Sequence, residues 1–345
     1  MFKVLKKNIR TKIYNKRSKI DKKIKKNKII RSDDLTSYIK KFGNKNPNKI
    51  FYVIQRSVGG GMFSNLNYVI HHMKIALDLK YIPIIDMQNF PTKYNENKKI
   101  RNSFNAWDYY FEPINKYKLK DVYKSKFVII CDSKTKNKPE FDSFENLNNE
   151  HYLVFKKYIK FRKYLVDKSN DFIKKSFYNK KVLGVHFRGT DMKTQERHPF
   201  PATYQQIINN INYQIKNYKY DKIFLVTEEK NYLDKLKKYY SKNLLCYNNS
   251  FRSNKPNIFE QNTRNNHRYL IGMENILDML ILSNTSKIIC TNSHLPDASK
   301  FVKRQNKIKL IKIENGNNSK NLVIAQFLWY IKKLLPYSLG GFKKF

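Results

Sequence analysis

Several features that would assign a common protein class are absent from this 345-residue sequence. No window approaches the roughly 20 consecutive apolar residues of a membrane-spanning helix, and the N-terminus lacks the apolar core of a secretory signal peptide. The three cysteines, Cys131, Cys246 and Cys290, are widely separated and show no metal-ligand spacing. They are typical of reduced core thiols. We therefore expect a soluble cytoplasmic protein that at most lies on a membrane surface.

Acidic residues are scarce, with 27 Asp and Glu against 70 Lys and Arg and a formal net charge of +43. Such a charge favours nucleic acid or an anionic membrane as partner. However, the excess is mostly lysine scattered among Asn, Ile and Tyr, a mixture that an AT-rich coding sequence produces by itself. No recognition-helix module, zinc-finger spacing or RNA-binding aromatic signature accompanies the charge. A nucleic-acid partner is therefore the less favoured alternative.

Three motifs of nucleotide and metal chemistry are also missing. The chain has no Asp-x-Asp, the usual carboxylate pair for a nucleotide-bound metal, and neither a G-x-G-x-x-G fingerprint nor a P-loop. It does have a strand at 49–55, three glycines ending at Gly61, and a helical pattern at 63–79. This order brings backbone N–H groups toward an anion. Asn65, in the first helical turn, either caps the helix or faces a ligand.

Strand and helix patterns alternate along the chain and predict an α/β protein with parallel sheets. The first half contains strands at 49–55, 82–86 and 126–131, and the second contains strands at 182–187, 222–227, 244–247, 287–290 and 308–313. We predict four segments: a basic N-terminal arm at 1–45, an N-terminal α/β acceptor-side domain at 46–179, a C-terminal Rossmann-like donor-binding domain at 180–318, and a C-terminal helix with a basic tail at 319–345. The two basic termini either contact an anionic membrane or remain solvated.

The most informative stretch runs from Val182 to Asp191, where an apolar strand ends in polar residues. His186, Arg188 and Asp191 arrive together at its carboxyl end, where ligands bind in open α/β sheets. The five donors of an arginine suit a phosphate, although Arg188 and Asp191 also have the spacing of an ordinary ion pair. Two further strands end in Thr227-Glu-Glu and Thr291-Asn-Ser-His. Convergence of three such ends favours a ligand site.

An aromatic segment at 102–113 combines Trp107 with Asp108 and two tyrosines, Tyr109 and Tyr110. Ring faces beside carboxylates and amides are typical of sugar-binding surfaces, so Trp107 and Asp108 are candidate acceptor contacts. Packing of the aromatic rings in a core is the alternative.

Four motifs together resemble the fucosyltransferases with an H-x-R motif, a family that includes α1,6-fucosyltransferases and protein O-fucosyltransferases. They are Gly184-Val-His-Phe-Arg-Gly-Thr-Asp191, Val226-Thr-Glu-Glu229, Asn275 to Ser293, and the glycine loop that ends in Asn65. The resemblance covers roughly residues 50–310. It implies a GT-B-like fold with two Rossmann-like α/β domains facing a central cleft, GDP-fucose as donor, inversion at the anomeric carbon and no metal cofactor.

The resemblance also implies roles for particular residues. Arg188 matches the diphosphate-binding arginine, Asp278 and Ser293 match nucleotide contacts, and Asn65 matches a residue that faces the donor. We add the neighbouring strand-end and loop residues His186, Gly61, Thr227 and Thr291 to the donor-binding set.

Two positions depart from the family pattern. Gly189 stands where the core-fucosylating enzymes have a second arginine, so Arg252 or Lys193 is the candidate replacement for that phosphate contact. Glutamates stand where the second motif usually has aspartates. With both departures the prediction of a nucleotide sugar as donor stands, but the identity of the sugar is not determined.

A general base for the acceptor hydroxyl is sought on the loop after the arginine. Asp191 is the first candidate, and a structural role in holding Arg188 is its alternative. His198, on the same loop, is a candidate acceptor contact. The sequence thus predicts a metal-independent inverting glycosyltransferase, most favourably a fucosyltransferase acting on a glycan or glycolipid. The alternatives are another nucleotide sugar as donor, or a basic protein that binds nucleic acid or a membrane surface.

Overall fold

A computed structural model describes residues 39–57, 60–131, 143–255 and 257–343. Most of the predicted basic arm, Gly59 and the last two residues lie outside these ranges. The chain divides into two compact units, the first formed by Met1–Lys163 with Arg264–Gly272 and the second by Tyr164–Thr263 with Met273–Phe345.

The first unit contains a three-stranded parallel sheet in the order β2-β1-β3. Its strands are β1 (Lys45–Ile54), β2 (Ile82–Ile85) and β3 (Ser125–Ile130), and its helices are α1 (Met62–Asp78), α2 (Ala106–Tyr110), α3 (Leu119–Val122) and α4 (Asn149–Tyr158). β1 ends in the fully buried run Phe51 to Ile54, as expected for a central strand covered on both faces. The β-α-β unit predicted from the sequence is present.

The second unit contains a five-stranded parallel sheet in the order β6-β5-β4-β7-β8. Its strands are β4 (Val182–His186), β5 (Lys222–Val226), β6 (Leu244–Leu245), β7 (Lys287–Cys290) and β8 (Lys309–Lys312). Its helices are α5 (Lys163–Phe177), α6 (Tyr204–Tyr218), α7 (Lys230–Tyr240), α8 (His267–Leu282), α9 (His294–Val302) and α10 (Leu322–Leu334). The prediction of an α/β fold with parallel sheets is confirmed.

Side-chain caps mark some of the helix starts. Thr203 and Gln206 form a reciprocal capping box at the start of α6, and the side chain of Asn321 accepts hydrogen bonds from the first backbone N–H groups of α10. None of the described helices is long and apolar enough to cross a membrane.

Two differences from the sequence expectation concern long helical stretches. The sequence pattern indicates long helical material from Glu150 to Phe177, and the structure interrupts it at 159–162, where Phe161 forms an isolated bridge with Phe111. α8 begins at His267, eight residues before the predicted start at Asn275, and its first residues, up to Gly272, group with the first unit. α5 groups with the second unit, ahead of the boundary predicted at 179.

Candidate functional site

Three polar segments meet at one edge of the second sheet. β4 lies between β5 and β7, and all three strands are parallel. The register pairs His186 with Val226 and Val185 with Ile289. The residues that follow these strands therefore leave the same edge of the sheet side by side. This is the edge at which open α/β sheets bind ligands.

Arg188 lies between two carboxylates at this edge. Its Nε is 3.7 Å from Oε1 of Glu228, and its Nη2 is 3.8 Å from Oδ1 of Asp191. Both distances exceed a normal hydrogen bond, so neither contact is the bidentate clamp of a tight structural ion pair. The Arg188 side chain is 35% exposed, which makes the guanidinium accessible to an anionic ligand.

A buried ion pair connects the loop that follows Arg188, called the arginine loop below, to the segment that follows β5. Lys193 Nζ donates to both carboxylate oxygens of Glu229, at 2.8 and 3.0 Å, and both side chains are about nine-tenths buried. The ammonium lies 4.6 Å from the ring centroid of Tyr232 and 5.1 Å from that of Trp329. Lys193 is thus committed to Glu229 and to two rings, a role that the sequence did not predict.

Gly189 is required by this buried pair. A Cβ at this position would collide with Oε2 of Glu229 and would lie 2.7 Å from Cε2 of Tyr232. Tyr232 cannot retreat easily, because its ring stacks on Phe187 at 3.8 Å with an interplanar angle of 2°. The position that distinguishes this chain from the family motif is therefore filled by the Glu229 carboxylate and the Tyr232 ring.

Four predicted site residues of the second unit each have a buried polar atom with no hydrogen-bond partner within the described ranges. These atoms are His186 Nδ1, Asp278 Oδ1, Thr291 Oγ1 and Arg252 Nε. Unsatisfied buried polar groups are costly and are rare in proteins, so each of these atoms marks a place that a ligand or water can complete.

Burial controls the protonation of two of these groups. The pKa of His186 is lowered to about 3, first by burial and then by the positive charge of Arg188. His186 is therefore neutral near pH 7 and acts as a hydrogen-bonding group there. The pKa of Asp278 is raised to about 7 by burial, an effect that the charge of Arg252 partly offsets and that of Glu274 reinforces. Asp278 is therefore partly protonated near pH 7.

The remaining predicted donor contacts of the second unit occupy loops and a helix start. Arg252 donates to the backbone oxygens of Ser250 and Tyr247, at 2.9 and 3.0 Å, which fixes its guanidinium on the loop after β6. Thr227 accepts a hydrogen bond from the backbone N–H of Glu229 at 3.2 Å. Ser293 is the N-cap residue that precedes α9, and its side chain makes no capping hydrogen bond there. Its hydroxyl and the helix N-terminus are suited to an anion.

In the first unit, Asn65 hydrogen-bonds to the segment that precedes the glycine loop. Asn65 is 3% exposed, and its Oδ1 accepts from the backbone N–H of Ser57 at 2.8 Å. The amide oxygen of Asn65 therefore organises the loop. Gly61 precedes α1, and a Cβ there would meet no atom within 4 Å. Open space beside the backbone at Gly61 is consistent with a close-approach position.

The two candidate acceptor contacts at α2 have structural partners. Trp107 is 3% exposed and stacks on Phe111 with ring centroids 4.0 Å apart, so almost none of its ring surface is available to a sugar. Asp108 accepts from Ser103 Oγ at 2.7 Å, and its backbone oxygen accepts from Arg162. These positions match the core-packing alternative.

His198 lines a surface pocket of about 450 Å³ in the second unit, together with Glu196, Arg197, Pro199 and Lys320. It lies on the segment that leaves the arginine loop. Within the described part of the chain, no group of three or more His, Cys, Asp or Glu side chains has an arrangement that could hold a metal ion.

Sequence reasoning missed the groups that support the arginine loop from the C-terminal helix. Gln326 of α10 donates to the backbone oxygen of Thr194 at 3.2 Å, and Trp329 Nε1 donates to that of Pro201 at 3.0 Å. The only sign of these contacts in the sequence is that Gln326 and Trp329, whose side chains can donate hydrogen bonds, lie on the same side of the amphipathic helix α10. Their partners lie about 130 residues earlier and follow from no local pattern.

Comparison with known proteins defines the fold class. The chain has a GT-B-like, fucosyltransferase-like α/β fold. NodZ α1,6-fucosyltransferase co-crystallised with GDP matches with a TM-score of 0.50 and 14% identity, over 73% of this chain and 92% of that one. A selenomethionine structure of fucosyltransferase NodZ from Bradyrhizobium gives the same TM-score, identity and coverages. An apo structure of POFUT1 matches at a TM-score of 0.42 and 9% identity, over 78% of this chain and 99% of that one. No protein-family model and no curated protein sequence matches the chain.

Proposed function

We propose that this protein is a metal-independent inverting glycosyltransferase that transfers fucose from GDP-fucose to a glycan or glycolipid in the cytoplasm. The observation that carries the proposal is the edge of the second sheet, where a partly exposed arginine, a helix N-terminus and unsatisfied buried polar atoms converge. The fold, shared with a fucosyltransferase crystallised with GDP, supports a guanosine diphosphate sugar as donor.

In this mechanism the acceptor hydroxyl attacks the anomeric carbon as the bond from that carbon to the diphosphate oxygen breaks. Negative charge develops on the departing GDP, and Arg188 with the N–H groups at the start of α9 stabilises it. The acceptor proton passes to Asp191, which is partly exposed on the arginine loop. Arg188 then also holds Asp191 in place through their 3.8 Å ion pair.

The unsatisfied atoms supply further donor contacts. Thr291 and the neutral His186 are suited to hydrogen bonds with phosphate or ribose oxygens, and Asp278 is suited to accept from ribose hydroxyls or the guanine N–H groups. Arg252 takes the place of a second arginine, because Lys193 is committed to Glu229.

A nucleotide panel tests the proposal. Because a ligand that binds only the folded protein raises the unfolding midpoint, GDP and GDP-fucose are expected to raise it while UDP and ADP leave it unchanged. Transfer and donor hydrolysis should persist in EDTA. A shift by UDP alone would favour another nucleotide sugar, and loss of transfer in EDTA would contradict the metal-independent mechanism.

A further inference from the structure

Helix α10 carries an apolar face that points away from the protein body. Six large apolar side chains on this helix are exposed, from 49% at Tyr330 to 67% at Val323 and Leu334. The set comprises Val323, Ile324, Phe327, Tyr330, Ile331 and Leu334. Tyr337 and Leu339, directly after the helix, are each 68% exposed. Soluble proteins rarely expose a contiguous patch of this kind without a partner for it.

The six side chains form one continuous stripe. At about 100° per residue they fall within an arc of about 120°, and no polar residue of the helix falls inside that arc. We name this stripe the outer face of α10. The opposite side of the helix is fixed, since Ala325 and Trp329 are buried and Gln326 and Trp329 hydrogen-bond to the loop at 194–201. The exposed stripe therefore belongs to a helix that is anchored in place.

Cations border the outer face at both ends. Lys320 precedes the helix, Lys332 and Lys333 lie in its last turn, and Lys343 follows it. The sequence from residue 315 to residue 345 contains five lysines and no aspartate or glutamate. An apolar stripe with a purely cationic border is complementary to an apolar layer with an anionic surface.

We propose that the outer face of α10 docks on an anionic lipid bilayer, with the helix lying in the membrane interface. The 13 residues of α10 span roughly 20 Å at about 1.5 Å per residue, less than the roughly 30 Å of a bilayer core, so the helix lies on the membrane. A second copy of the chain is a poorer occupant, because a symmetric contact would bring two lysine borders together without a carboxylate between them. The basic N-terminal arm is disfavoured by the same repulsion.

Vesicle flotation of the full chain tests this docking. Phosphatidylcholine vesicles containing phosphatidylglycerol should carry the protein, and pure phosphatidylcholine vesicles should carry much less. Exchanging Phe327→Ser together with Ile331→Ser should weaken binding about tenfold or more, since two large apolar side chains lose their burial in lipid. The exchange of Tyr213→Ser together with Tyr239→Ser, at positions 58% and 56% exposed on α6 and α7, is the matched control and should leave binding unchanged.

The basic N-terminal arm is identical in the wild type and in both double variants. Any difference in vesicle binding between them is therefore not caused by the arm. Equal unfolding midpoints for the wild type and the Phe327/Ile331 variant establish that the surface change leaves the fold intact. A Phe327→Trp variant adds a depth measurement, since brominated lipids should quench the added tryptophan fluorescence. Absence of vesicle binding, binding unaffected by the Phe327/Ile331 exchange, or a dimer in solution that this exchange converts to a monomer would each overturn the proposal.

Discussion

At the end of β2 in the first unit, Asp86 accepts hydrogen bonds from Asn89, the backbone N–H of Gln88 and the hydroxyl of Tyr123. At the ends of β4 and β7 in the second unit, His186 Nδ1 and Thr291 Oγ1 are buried and have no partner within the described residues. Asp86 is thus satisfied by its own surroundings, whereas His186 and Thr291 each keep a buried polar atom without such a partner. Since buried polar groups are costly when unsatisfied, Asp86 at the end of β2 contributes to stability, and the ends of β4 and β7 are the places where the proposed ligand would complete the hydrogen bonding.

The comparison extends to the arginines. Arg162 in the first unit donates to Glu112 at 2.6 Å and to the backbone oxygen of Asp108 at 3.0 and 3.1 Å. The ion pairs of Arg188 in the second unit to Glu228 and Asp191 are longer, at 3.7 and 3.8 Å. Hydrogen bonds of normal length fix the Arg162 side chain in place. The two ion pairs of Arg188 are longer than hydrogen bonds, and a bound diphosphate could form shorter, bidentate contacts with its guanidinium.

The largest expected effect is on catalysis, and it is seen when Arg188 and Arg162 are substituted in separate variants. Arg188→Ala and Arg188→Lys should each lower kcat for fucosyl transfer about a thousandfold, because a lysine cannot reproduce the guanidinium fork. Arg162→Lys should lower the unfolding midpoint and leave kcat per folded molecule unchanged. Steady-state kinetics with GDP-fucose, together with thermal unfolding, measure both. Full activity of the Arg188→Lys variant would remove the proposed diphosphate role.

The next effect concerns pH. The pKa of Asp278 is raised from 3.8 to about 7 in the folded protein, so the folded state binds an extra proton between these values and stability falls as pH rises from about 4 to about 7. Asp278→Asn should remove that loss and raise the free energy of unfolding by up to about 4 kcal/mol above pH 7, with no gain below pH 4.

His72 in the first unit is expected to show the opposite dependence of stability on pH. Its pKa is lowered to about 3 by burial, so its contribution to stability is present above pH 6.5 and is lost as pH falls toward 3. His72→Gln should therefore reduce the acid sensitivity that Asp278→Asn leaves untouched. Urea unfolding from pH 4 to pH 8 measures both variants. An Asp278→Asn gain of equal size at pH 4 and pH 8 would show that its charge is not the cause.

A smaller effect is expected from two glycines. Gly189→Ala places a methyl group against Glu229 and Tyr232 and should lower the free energy of unfolding by about 1–3 kcal/mol, the usual cost of overpacking. Gly61→Ala, whose added methyl group meets nothing within 4 Å, should change it by less than about 0.5 kcal/mol. Chemical denaturation compares the two directly. Equal costs at both positions would mean that the Lys193–Glu229 pair is not the obstacle.

The smallest effect sharpens the contrast between the two edges. Asn105 of the first unit accepts from the backbone of Met87 and donates to Ile85, so Asn105→Ala should cost about 1–3 kcal/mol of stability. Thr291→Val should change stability by less than about 0.5 kcal/mol, because the lost hydroxyl has no partner within the described residues. The valine variant should instead bind GDP severalfold more weakly, as measured by calorimetry. A large stability loss in Thr291→Val would show that its hydroxyl is structural.

Periodicity and turn chemistry predicted the α/β class and nearly every strand, because buried parallel strands such as β4 and β7 read as short apolar runs. The break between α4 and α5 escaped prediction, since it depends on the bridge from Phe161 to Phe111, 50 residues away in the chain. The same limit applies at the candidate site. Strand ends placed His186, Arg188 and Thr291 at one edge, while the commitment of Lys193 to Glu229 follows only from the folded positions of both loops.

The inner side of α10 has a consequence for biosynthesis. The hydrogen bonds from Gln326 to Thr194 and from Trp329 to Pro201 join residues separated by 132 and 128 positions. Domains fold as the ribosome releases them, from the N-terminus onward. The sheet of the second unit can assemble once β8 has emerged, but the loop that carries Arg188 and Lys193 stays uncovered until α10 has been synthesised. In a nascent chain the proposed nucleotide site is thus expected to become complete only after α10 has been synthesised, together with the proposed docking face of that helix.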